Sequence, residues 1–93
     1  MEKKYQYYAL EICKETKQGN ETLETLDRNG RYVDSDAPNV QMTHDEALYL
    51  FNARTLSNYL EEHEGAGIYT LVLFGCNDDT YEYEVISTIE TVR

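Results

Sequence analysis

The feature that most constrains this chain is the tetrapeptide Thr43-His44-Asp45-Glu46. The threonine hydroxyl can accept the backbone N–H of residue 46 while the glutamate reaches back to that of residue 43, a capping box that starts a helix. The pattern behind it carries the helix through Glu62, and Gly65 and Gly67 then stop it. Leu50, Ala53, Leu56 and Leu60, with Tyr49 at the edge, form a core-facing stripe at helical spacing. Phe51 then projects nearly opposite that stripe, with Leu48 on the same flank. Either the loop before the helix folds over Phe51, or this flank meets a second copy or another partner.

Both sides of the helix read as strand. Tyr5 to Cys13 is rich in tyrosine and aliphatic residues, with Tyr8, Leu10 and Ile12 at period two. Thr22 to Leu26 fits a strand or a short helical turn. The strand is preferred because Asn29-Gly30 suits a type I′ hairpin turn with Arg31-Tyr32-Val33 returning. Asp34 to Gln41, with the lone Pro38, is a connecting loop. Ile68 to Phe74 is a near-continuous apolar run, suited to a central strand or to part of a dimer sheet. Cys76 to Thr80 turns the chain into a last strand over Tyr81 to Val92. There Tyr81, Tyr83 and Val85 alternate with Glu82 and Glu84, and the apolar phase switches near Ile86, as at a bulge. With 93 residues there is room for one core. The expectation is a single α+β domain over 1–93: a small antiparallel sheet of three to five strands with one main helix packed on it, in the order β-(ββ)-α-β-β.

Charge limits the partners. The net charge is -10, and its distribution is uneven. Residues 1–31 carry six basic and six acidic side chains, whereas from residue 32 onward twelve acids face only Arg54 and Arg93. Affinity for nucleic acid or anionic membrane rests on lysine and arginine neutralising phosphate, so both are poor partners. Cationic proteins are the natural ones, unless the acids merely keep the chain in solution. No apolar run approaches the roughly 18 residues of a membrane span, and Met1-Glu2-Lys3-Lys4-Tyr5 lacks the apolar stretch of a secretory signal. A cytoplasmic protein is expected, with Cys13 and Cys76 reduced and packed.

Motifs for chemistry fail on their spacing. His44 and His63 lie about 28 Å apart on one helix and cannot share a metal within a chain. Asp34-Ser35-Asp36 lacks the glycine and the twelfth-position glutamate of a calcium loop. Gly65-Ala66-Gly67 follows a helix and precedes a strand, the reverse of a phosphate loop. Paired carboxylates of the glycosidase kind need a deep cleft that a domain this small hardly offers. Neither catalytic residues, metal nor cofactor are expected. A small enzyme using Cys13 or Cys76 would need a histidine brought near by folding.

Two acidic groups resist a purely structural explanation. Glu61, Glu62 and Glu64 oppose the dipole at the helix C-terminus, at a cost of roughly 0.3 to 1 kcal/mol each near the last turn. Asp78, Asp79, Glu82 and Glu84 sit on the final hairpin, where alternate residues are roughly 6.7 Å apart, similar to successive phosphates. Such a row can occupy an arginine-rich groove. Tyr81 and Tyr83, with Leu48 and Phe51, are further candidates for a dimer or partner contact.

In size, charge and the placement of Glu61, Glu62, Glu64, Asp78, Asp79, Glu82 and Glu84, the chain resembles small acidic proteins of phages and other mobile elements, including anti-CRISPR proteins and other nucleic-acid mimics. The resemblance implies a non-catalytic inhibitor in the host cytoplasm, its acidic face occupying the positive channel of a CRISPR effector or a similar host nuclease. The alternative is a homodimeric structural or regulatory module whose acids only solvate it.

Overall fold

In the computed structural model, which describes residues 5–63 and 65–93, a five-stranded antiparallel sheet carries two helices on one face. The strands are β1 (Tyr7–Thr16), β2 (Gly19–Leu26), β3 (Tyr32–Val33), β4 (Ile68–Asn77) and β5 (Glu82–Val92), and the helices are α1 (His44–Leu50) and α2 (Ala53–Glu62). The spatial order is β3-β2-β1-β4-β5, so β1 and β4 are central while β3 and β5 are the edges.

Alternation along the strands divides the sheet into two faces. Leu10 and Ile12 of β1 pair with Leu73 and Leu71 of β4. Together with Leu26, Met42, Ala47, Leu56, Tyr59, Leu60 and Tyr69 they form the core beneath the helices. The opposite face carries Tyr7, Ala9, Glu11 and Cys13 of β1 beside Cys76, Phe74, Val72 and Thr70 of β4. No helix of four or more residues covers it among the described residues; the loop between β3 and α1, with its 3₁₀ turn at Pro38–Val40, reaches one flank.

One helix was expected where two form. The capping box is present: the Thr43 hydroxyl accepts from the Glu46 N–H, and the Glu46 carboxylate accepts from that of Thr43. α1 nevertheless ends at Leu50, because Asn52 caps a second helix. Its side-chain oxygen accepts the Thr55 N–H, its amide donates to the Tyr49 carbonyl, and the Thr55 hydroxyl donates to the Leu50 carbonyl. Side chains that satisfy the backbone locally compete with helix continuation. Leu56 and Leu60 of the expected stripe are buried in the core, but the residues around the break are turned from their expected positions. Ala53, expected inside, is exposed, Tyr59 is buried, and Phe51 packs against the core it was expected to point away from.

Two turns differ from their expected form. Only Gly30 of the Asn29-Gly30 pair has positive φ, at 79°, so the β2–β3 turn is not type I′, which needs it at both positions. The buried Asp27 carboxylate organises it instead, accepting the N–H groups of Asn29 and Arg31 at 2.8 and 2.9 Å. β2 begins as early as Gly19, whose φ of 115° closes a tight turn after Thr16. The bulge expected near Ile86 is present, with Leu73 opposite Ser87 and Phe74 opposite Val85 leaving Ile86 unmatched.

Candidate functional site

The uncovered face of the sheet is where the chemistry of this chain differs most from its surroundings. Register places Glu15 and Asn20, Cys13 and Thr22, and Glu11, Thr25 and Val33 on it from the β1–β2–β3 side. From β5 it receives Tyr83, Val85, Thr88, Glu90 and Val92. Among the described strand residues directed to this face there is no lysine or arginine. Lys14 lies on the helix side, its ammonium 5.4 Å from the centre of the Tyr69 ring.

A trough of about 210 Å³ opens in this face. Tyr7, Ala9, Glu11, Thr25, Phe74, Cys76 and Tyr83 of the sheet line it, with Ser35 and Val40 contributed by the loop before α1. The Glu11 carboxylate is half-buried and accepts one hydrogen bond, from the Thr22 hydroxyl at 2.8 Å. At one end, Tyr7 and Tyr83 both donate their hydroxyls to Asp78, at 2.9 and 3.0 Å. Burial first, then the bond to Asp78, pushes the Tyr7 hydroxyl above the usual phenol range. The bond to Asp78 does the same for Tyr83. Burial pushes the Cys76 thiol up to about 11.

The acids singled out by sequence do not share one surface. Asp78 borders the tyrosine end of the trough, and Asp79 accepts from the Gln6 side-chain amide at 2.7 Å. Glu82 and Glu84 pair with Asn77 and Gly75 and so lie on the helix side of β5, where Glu84 accepts the Tyr5 hydroxyl at 2.5 Å. These bonds tie the β4–β5 hairpin to the start of β1. Glu61 and Glu62 end α2 beside Arg93, whose guanidinium donates to the carbonyls of Leu60 and His63. β4 runs from that end to the hairpin, so the two acidic groups are roughly 30 Å apart at about 3.3 Å per residue. Glu64 lies outside the described residues.

The contact candidates are likewise dispersed. Leu48, 46% exposed, is in the helix layer, and Phe51 is packed in beside it. Tyr81 is 82% exposed at the hairpin, and Tyr83 stands on the opposite face from the helices. Sequence reasoning missed Glu11 and the trough altogether. The only signal was the period-two placement of Tyr7, Ala9, Glu11 and Cys13 behind the apolar face of β1.

Cys13 and Cys76 are free and buried. Cys13 is opposite Thr70 and Cys76 opposite Tyr7, six residues away along β1, which is roughly 20 Å. That is far beyond the about 7 Å Cα limit of a disulfide. Both histidines belong to the helix layer, on the other side of the sheet from the two cysteines. His44 packs edge-on against Tyr8, and His63 stacks on Tyr59. No metal-like group of histidine, cysteine or acidic residues forms among the described residues, and no helix there is long and apolar enough to cross a membrane. Comparison with protein-family models, with curated proteins and with solved structures gave no match.

Proposed function

We propose that this chain is a non-catalytic binding protein whose acidic, tyrosine-lined sheet face occupies the positively charged nucleic-acid site of a partner protein and inhibits it. A CRISPR effector or another host nuclease, met in the host cytoplasm, is the partner that the resemblance to small phage proteins supplies. The observation that carries the reading is the absence of any described lysine or arginine among the strand residues of the bare face, which displays Glu11, Glu15, Glu90, Tyr83 and Val85. A broad surface of one sign attracts its opposite and steers encounter. The site narrows to this face with Asp78 and Asp79 at its end; Glu61 and Glu62 serve as a distant second patch at most.

Reversing Asp78 is a poor test, because two tyrosine hydroxyls depend on it. The double change Glu15→Lys with Glu90→Lys alters exposed acids of the same face instead. The immobilised protein should retain a basic DNA-binding protein from a bacterial lysate at low salt, release it at high salt, and lose it in the double variant. Retention indifferent to both salt and variant would falsify the reading.

A homodimeric module is the second reading, favoured by β5. It is an 11-residue edge strand that pairs with β4 alone among the described strands, with Val85, Ile86 and Val92 exposed along it. Sedimentation at low and high salt decides it: a dimer that strengthens with salt supports edge pairing between copies of charge -10, and a monomer at both removes it.

A further inference from the structure

We infer that the trough beside Glu11 receives one arginine side chain of the partner; the inference deepens the binding reading above and rests on it. Size is the first argument. At about 210 Å³ the trough falls below the roughly 300–1,000 Å³ of pockets that hold drug-sized ligands or cofactors. It is the right scale for one long side chain.

The lining selects which one. Tyr7, Phe74 and Tyr83 bring aromatic rings to the lining, Ala9 brings only a methyl group, and Glu11 is the one carboxylate among the lining residues. No described lysine, arginine or histidine lines the trough to neutralise that carboxylate. Its single described hydrogen bond comes from a neutral hydroxyl, and in its half-buried position it has no cationic partner among the described residues. A carboxylate beside aromatic rings that holds one neutral donor gains from a hydrogen-bonded cation. Neutral apolar side chains would bury Glu11 uncompensated. Lysine would bring a strongly hydrated point charge, whereas the guanidinium is planar, less hydrated, stacks on aromatic rings and pairs with a carboxylate through two parallel bonds.

The test uses N-acetyl-arginine amide as the probe, followed by amide chemical shifts of the isotope-labelled full chain, with N-acetyl-norleucine amide as the neutral comparison. The arginine probe should move the resonances of Ala9, Thr25, Phe74 and Cys76 and the norleucine probe should not. Glu11→Gln keeps an acceptor for Thr22 and should weaken the response about tenfold or more, the scale of one charge-assisted hydrogen bond. Ala9→Leu adds bulk to the lining and should abolish the response while spectral dispersion shows an intact fold. Equal responses to both probes, responses confined to other residues, or a response unchanged in Glu11→Gln overturns the inference. Lysate capture by Ala9→Leu separates it from the wider reading. Capture that persists without any arginine response removes the trough and leaves the face; an arginine response without capture of a basic protein removes the inhibitor reading and leaves the trough.

Discussion

Tyr81 has φ of +54°, the only positive value among the described non-glycine residues, and 82% of it is exposed. The left-handed conformation costs an L-residue roughly 1–2 kcal/mol, and glycine adopts it freely. A sequence selected for stability alone would place glycine at this hairpin position. Tyr81→Gly should therefore raise stability by about 1 kcal/mol in urea denaturation, while weakening capture of a basic partner if the exposed ring is used in contact. A loss of stability instead would mean that the ring is held by packing. The thiols supply a second test at this scale. Burial raises Cys76 from 9.0 to about 11 and moves Cys13 in the same direction. The folded state then holds these protons more tightly than the unfolded one. The corresponding stability is fully present below pH 9.0 and is lost as pH rises through about 11. Cys76→Ala should show a smaller fall over that interval in equilibrium unfolding, and the native protein should alkylate slowly at pH 8 until denatured.

Two separate caps hold the helix layer, and they make opposite predictions for one helix and for two. Thr43→Ala and Asn52→Ala should each cost about 1 kcal/mol, additively, because each leaves an N-terminal N–H without its side-chain acceptor. Were the chain continuous through residue 52, Asn52→Ala would stabilise it, alanine being the better helix former. Denaturation of the two single variants and the double variant distinguishes these outcomes. The first cap was legible because glutamate at 46 completes a two-way pattern. The second was not, because Asn52-Ala53-Arg54-Thr55 falls inside an otherwise regular periodicity. That one omission inverted the orientation of Phe51 and Ala53. Strand signals fared according to their apolar content: β4, β5 and the bulge at Ile86 were readable. The first half of β2, Gly19-Asn20-Glu21-Thr22, shows no alternation and is a strand because β1 pairs with it. The hairpin acids were located in sequence, but their hydrogen bonds to Tyr5, Gln6 and Tyr7 span more than 70 residues and left no local trace. The trough needed still more, since it exists only after the register of four strands and the approach of Ser35 and Val40 are fixed.

At the scale of the whole molecule, salt should act with opposite signs on stability and on binding. The chain carries a net charge of -10 with its histidines neutral, and the contact between neighbours His44 and Asp45 is an ion pair only when the histidine is protonated. The acids with described partners mostly use hydroxyl and amide donors, bonds that salt screens little. What remains over distance is repulsion. The described molecule measures 38 × 28 × 26 Å. The screening length is about 30 Å at 0.01 M salt and about 8 Å at 0.15 M, so every charge feels most others in the first condition and only its neighbours in the second. Urea midpoints should therefore rise between these two concentrations as self-repulsion is screened. Association with a cationic protein draws on the same field and should weaken over the same interval, mainly through a slower on-rate. Stopped-flow association and urea titration at the two concentrations test the pair together. A midpoint that falls with salt would mean that attractive pairs dominate the surface, and the bare face would then lose the one-signed field on which a cationic partner depends.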